Sequence, residues 1–169
     1  PEEIGEICVS GAVVTDQYWN TEEHNALGKM RGERGIWHRM GDLGYFDSQG
    51  RLWFCGRKAH RVQIGSKCLF TIPTEAPFNT HPKVFRTALV GPTRADGKRV
   101  AALCVEFEDG LSRPEQMKTL EELKDIRDAH DNLKLVSVLL PHPGFPVDIR
   151  HNAKINREIL KLWAQEELK

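Results

Sequence analysis

The sequence predicts an α+β fold: a small domain with a short sheet and packed helices, preceded by a β-rich segment. Two observations carry this. The first third of the chain breaks into short strand-like runs separated by polar and turn-forming residues. The remainder reads as strand, helix, strand, strand, helix, strand, helix over about 110 residues, a normal size for an independent unit.

Each element has a local reason. Residues 5–9 form a short β-like run closed by Ser10-Gly11. Residues 21–35 are polar and charged and read as a loop or a short surface helix. Tyr45-Phe46 and Leu52-Trp53-Phe54 flank Asp47-Ser48-Gln49-Gly50, whose residue types suit a tight turn, so a β-hairpin is expected. Residues 61–64 are another short strand. Pro73 is expected at the first position of a helix, where its missing N–H is harmless. That helix should end near His81-Pro82, because the residue before a proline disfavours helical backbone. Residues 84–90 and 100–107 are β-rich runs separated by a Gly/Pro/Asp loop. Leu120, Leu123 and Ile126 share one face of a helix over 119–130. A last strand is expected over 133–140. A proline-rich loop then leads to a C-terminal helix over 155–168, with Ile155, Ile159, Leu160 and Trp163 on one side.

The hydrophobic content of 40% and charged content of 28% are those of an ordinary globular chain. Lysine plus arginine (24) balances aspartate plus glutamate (24), so no global field draws the protein to nucleic acid or an acidic membrane. No apolar run approaches the length that spans a bilayer, and no signal peptide is visible. The opening residues Pro1-Glu2-Glu3-Ile4-Gly5 read as the middle of a longer protein. Cys8, Cys55, Cys68 and Cys104 lack the close pairing of zinc sites and sit among apolar neighbours. Buried, reduced thiols and a cytoplasmic setting are expected. The seven histidines show no metal-like spacing, and no metal site is expected in this chain.

Three segments could carry chemistry. In Gly41-Asp42-Leu43-Gly44-Tyr45, glycines flank an aspartate and leave its carboxylate uncrowded. A carboxylate accepts two hydrogen bonds side by side, which suits a vicinal diol such as ribose. The plain alternative is a turn aspartate that caps backbone N–H groups. Gly56-Arg57-Lys58-Ala59-His60-Arg61 crowds cations beside the hairpin and could meet phosphate or ribose oxygens, or simply form a solvated face. In residues 146–157, Lys154 stands where a polar loop enters the final helix, with Asn152 as a candidate N-cap. Its flexible stem suits it to bridging anionic oxygens, and the alternative is a surface lysine in a first helical turn.

In this order and spacing the segments resemble the adenylate-forming acyl-activating enzymes. Gly5-Glu6-Ile7-Cys8-Val9-Ser10-Gly11 with Tyr18-Trp19-Asn20 is similar to the family's strand and G-Y-x-N stretch. The run from Trp37 to Gly44 is similar to W-x-R-T-G-D-L-G, with Met40 in place of threonine. Gly56-Arg57 resembles the hinge between the large and small domains, and Glu75 with His81-Pro82 resembles the E-x-x-x-x-x-H-P helix. Lys154 falls on the catalytic lysine.

The resemblance implies that Asp42 and Arg57 bind the nucleotide ribose of ATP, with magnesium (Mg) and the phosphates held mainly upstream. Lys154 would stabilise charge as the acyl-adenylate forms, and Lys58 and Ala59 would belong to the hinge. It further implies that residues 1–57 are the tail of the large AMP-binding domain and 58–169 its mobile lid. Two departures stand out: Ala59 replaces the usual hinge Asp or Lys, and Gly65 comes one place before the family's loop glycine, which Ser66 displaces.

The runs 145–155, 56–62 and 70–75 resemble the bacterial olefin-pathway β-lactone synthetases, which need no CoA. The implied activity is ATP-dependent conversion of a long-chain β-hydroxy acid through an acyl-adenylate to a β-lactone, alongside partner enzymes of that pathway. The rival readings are a fatty acyl-CoA synthetase or acyl-AMP ligase, and a non-catalytic binding domain that kept the lid fold. The chain by itself is expected to be inactive and to expose apolar surface around Trp37 and Trp53.

Overall fold

The computed structural model describes residues 3–33, 35–148 and 154–169. The chain divides into two compact units, Pro1–Ala59 and His60–Lys169.

The first unit is a four-stranded antiparallel sheet organised on one long strand. It contains β1 (Gly5–Ser10), α1 (Glu22–Gly28), β2 (Lys29–Gly32), β3 (Gly35–Phe46) and β4 (Leu52–Arg57). β3 pairs with β1, with β2 through its first residues, and with β4 through its last. The expected hairpin is β3–β4. Its turn closes through Gly50 N–H to Asp47 C=O (3.0 Å) and Asp47 N–H to Arg51 C=O (3.0 Å). Gly44 is required by close approach: a Cβ there would lie 2.6 Å from the Trp53 carbonyl oxygen. Residues 21–35 hold both the surface helix α1 and a strand, β2, that their polar character concealed. Trp53 and Phe54 are half exposed, Trp37 less so, and Trp19 is 92% exposed.

The second unit begins with a two-strand hairpin, β5 (Val62–Ile64) and β6 (Lys67–Leu69). Its two-residue turn places Gly65 at φ +58°, a conformation glycine adopts without cost. Then come α2 (Thr71–Asn79), β7 (Val84–Val90), β8 (Ala101–Phe107), α3 (Arg113–Asp128), β9 (Val136–Pro141) and α4 (Arg157–Glu167). β7 and β8 are antiparallel, while β8 and β9 are parallel, with α3 in the crossover.

Central β8 is buried on both faces from Ala101 to Val105, so those five residues are continuously apolar rather than alternating. Leu103 and Val105 pack with Phe78, Leu123, Leu133 and Val136 on one side. Ala102 and Cys104 pack with Ala88, Phe145, Leu160 and Ala164 on the other. The alanines let α4 approach the sheet closely.

Several expected boundaries shift. α2 starts at Thr71, so Pro73 is its third residue; first-turn N–H groups lack intrahelical partners, and proline is still tolerated there. α3 begins at Arg113, where the Glu115 carboxylate accepts hydrogen bonds from Ser112 N–H (2.9 Å) and Oγ–H (2.6 Å). β9 starts at Val136 and not at residue 133. α4 starts at Arg157, not at residue 155, because Asn156 caps it by accepting from Ile159 N–H (3.2 Å). Asn152, the expected cap, lies outside the described residues. Of the cysteines, Cys55 and Cys104 are buried, but Cys8 and Cys68 are only half-buried; all four are free thiols.

Candidate functional site

Asp42 and Arg57 belong to the first unit and Lys154 to the second. Asp42 is not in a turn: it sits in β3, directly opposite Arg57 of β4. A bulge between Leu43 and Gly44 sets this register. Arg57 Nε lies 3.2 Å from Asp42 Oδ1, and Arg57 Nη1–H donates to the Met40 carbonyl (2.9 Å). The Asp42 Oδ1 contact is an ion pair without hydrogen-bond geometry. That oxygen is buried and accepts no hydrogen bond among the described residues. A buried carboxylate oxygen without a hydrogen bond is an unmet demand that a further donor can answer.

Beside this pair lies a second charged group. Glu6 of β1 accepts from Arg39 Nε–H (3.0 Å), from Arg39 Nη2 and from Lys58 Nζ (2.8 Å). Arg39 first, and Lys58 second, hold the Glu6 carboxyl below its ordinary value. Lys58, an expected hinge residue, is thereby tied to β1, while Ala59 is exposed in a 3-10 turn, Lys58–His60. A cleft of about 680 Å³ is lined by Glu6, Arg39, Lys58, Met40 and Gly41 together with Tyr18, Trp19 and α1 residues.

Lys154 is exposed and precedes α4 rather than lying in its first turn. Its carbonyl accepts from Asp148 N–H (2.9 Å), Asn156 N–H donates to the Pro146 carbonyl (2.8 Å), and Val147 and Ile155 form an antiparallel bridge. A small cavity of about 190 Å³ is lined by Lys154, His60, Asp148, Asn156, Arg157 and Glu158, among others. The helix-dipole penalty expected for Lys154 is reduced, since it stands outside the first turn.

The neighbouring pair was not anticipated as such. Arg157 Nη1–H and Nη2–H donate to Glu75 Oε1 (2.7 Å) and Oε2 (2.9 Å), a bidentate fork, and Nη1–H also reaches the Leu89 carbonyl (3.1 Å). Leu89 N–H donates to Glu75 Oε1 (2.7 Å). Burial pushes the Glu75 carboxyl up from its ordinary value, and Arg157 opposes that shift. Both residues stand in motifs read from the sequence. The one local hint of the pairing is a charged residue at an inward position on each of two short helices, since nothing in either segment names its partner.

No protein-family model matches the sequence. The olefin β-lactone synthetase of Xanthomonas campestris pv. campestris is 45% identical over 98% of this chain, which corresponds to 30% of that protein. The olefin β-lactone synthetase of Stenotrophomonas maltophilia is 47% identical over the same shares. The chain therefore spans about 30% of the length of these curated relatives. Among solved structures, ATP-bound MatB from Rhodopseudomonas palustris superposes with a TM-score of 0.75 at 20% identity, covering 99% of this chain and 32% of MatB. That likeness shows the fold. By its sequence relatives this chain belongs to the adenylate-forming acyl-activating enzymes and corresponds to their C-terminal part.

Proposed function

We propose that the chain is the C-terminal part of an ATP-dependent ligase that activates a long-chain β-hydroxy acid and closes it to a β-lactone. The observation that carries the nucleotide half of this reading is the buried Asp42 Oδ1, which accepts no hydrogen bond among the described residues and lies 3.2 Å from Arg57 Nε. A ribose hydroxyl supplies the missing donor, and Arg57 is held beside it by the Met40 carbonyl. The acyl half rests on 45–47% identity to olefin β-lactone synthetases.

In the first step the acid's carboxylate oxygen attacks the α-phosphorus of ATP and pyrophosphate leaves. Negative charge concentrates between the carboxylate and the phosphoryl oxygens. Lys154, with its compact ammonium on a flexible stem, is the side chain we assign to that charge. In the second step the substrate's own β-hydroxyl attacks the activated carbonyl, loses its proton, and AMP leaves. Residues 1–59 would be the tail of the large AMP-binding domain and 60–169 the lid, with Lys58 and Ala59 at the hinge. The division into compact units falls within two residues of the boundary at 57 and 58 that the motifs suggest, which supports this reading. Among the described residues no group of three His, Cys, Asp or Glu side chains could hold a metal ion, so magnesium is assigned no ligand here. The reduced thiols fit a cytoplasmic setting.

The test is product analysis on the full-length protein with ATP and a long-chain β-hydroxy acid, without CoA. A β-lactone with AMP release is expected. Acyl-CoA formed only on adding CoA, or a stable acyl-AMP, would replace the β-lactone reading while retaining adenylation.

A further inference from the structure

We propose that Glu75 and Arg157 are positioning residues for Lys154, holding the backbone that carries it in one place on the second unit. This rests on the reading of Lys154 given above. Arg157 follows Lys154 by one turn's worth of chain, and its guanidinium is clamped by both Glu75 oxygens and the Leu89 carbonyl. Glu75 is in turn fixed by Leu89 N–H. The start of α4 is thus tied at once to α2 and to β7.

The opposite strand of the same base is also tied. Phe145 is buried between β8 and α4, and its N–H donates to Glu106 Oε2 (3.1 Å), which Arg86 Nε–H also contacts (2.5 Å). Between these two anchors, Asp148 N–H to Lys154 C=O and Asn156 N–H to Pro146 C=O close the base. Lys154 therefore stands on a backbone fixed from both sides, although its side chain is exposed.

The pair's burial points the same way. The Glu75 and Arg157 side chains are 8% and 13% exposed. A buried ion pair is a poor stability device, because desolvation offsets the attraction and apolar side chains of equal volume serve as well or better. Such a pair does supply geometry: a planar fork on a carboxylate has one orientation, and it sets where the next residues of the chain lie. A misplacement of about 1 Å at a reacting group can lower a rate by about a hundredfold.

The experiment uses Arg157→Lys, which keeps the charge and loses the fork. In the 169-residue chain, hydrogen exchange at the Asp148 and Asn156 amides should accelerate by about tenfold or more, while Leu103 in β8 stays unchanged. Unchanged exchange at both amides would overturn the anchoring. In the full-length enzyme, Arg157→Lys should lower kcat for adenylate formation by about tenfold with little change in KM for ATP. Combined with Lys154→Ala it should lose nothing beyond Lys154→Ala alone, because Arg157 acts through Lys154. Multiplying losses would overturn the proposal and leave the role of Lys154 standing. Full adenylation by Lys154→Ala would overturn both, and the exchange result would still report the anchor separately.

Discussion

Asp42 and Arg57 are cross-strand partners, brought face to face by a bulge in the β3–β4 pairing, and the carboxylate oxygen between them accepts no hydrogen bond among the described residues. Asp42→Asn in the full-length enzyme retains the shape of the side chain but loses its charge and one acceptor. A hydrogen bond to a charged group contributes about 1.5–3 kcal/mol, so the dissociation constant for ATP should rise by about ten- to a hundredfold. Calorimetric titration with ATP measures this, and unaltered affinity would remove Asp42 from the nucleotide site.

Gly44 has no room for a side chain. A methyl group would meet the Trp53 carbonyl oxygen at 2.6 Å, with the Ile7 and Leu52 side chains just beyond. Gly44→Ala should destabilise the first unit by about 1–3 kcal/mol, as overpacking does. Urea unfolding followed at the β3–β4 hairpin checks it; Gly50→Ala, where a Cβ meets nothing within 4 Å, reports the separate effect of its φ of +75°.

Removing one partner of the buried fork should be severe. Glu75→Ala leaves the Arg157 guanidinium largely buried with, among the described residues, the Leu89 carbonyl as its hydrogen-bond partner. The second unit should lose about 3–5 kcal/mol. Replacing both residues with apolar ones should cost much less, and thermal unfolding of the single and double variants makes the comparison.

The β3–β4 turn carries a pH dependence. Asp47 Oδ2 accepts from the Trp53 indole N–H (2.8 Å) and Arg51 Nε–H (2.6 Å), and Oδ1 accepts from two backbone N–H groups. The Trp53 bond first, and the Arg51 amide next, lower this carboxyl from 3.8 to about 2. A depressed carboxyl stabilises the fold fully above its unfolded value and loses that contribution as pH falls through its folded value. The hairpin should therefore weaken between about pH 4 and pH 2. The Trp53 indole resonance should titrate with a midpoint near 2, and Asp47→Asn should abolish the transition.

The four thiols should differ in reactivity. Burial pushes Cys104 up to about 12, and raises Cys55 and Cys68 as well. At pH 8 a thiol reagent should modify half-buried Cys8 first and leave Cys104 intact until the second unit unfolds. Mass spectrometry of the partly modified protein resolves the order.

The motifs of the family, the hairpin at Asp47–Gly50, the strands β7 and β8 and the presence of helices near residues 71–79, 113–128 and 157–167 were legible in the sequence, because each depends on neighbouring residues: turn chemistry, apolar runs and helical spacing. β2 and β6 were not, since strands of three or four residues are too short to show a periodicity and exist only through their pairing with β3 and β5. The buried apolar spacing of α3 begins only at Leu120, so its true start is marked instead by the capping pair Ser112 and Glu115. By itself, then, the sequence determined the family and the α+β class, and it marked Asp42, Arg57 and Lys154 as candidates. Tertiary structure alone decided that Asp42 faces Arg57 through a bulged register, that α4 waits for Asn156, and that Arg157 meets Glu75 at Leu89 of the edge strand β7. Local propensity has a range of a few residues, whereas a buried ion pair between segments this far apart exists only once packed layers bring its two charges out of water together.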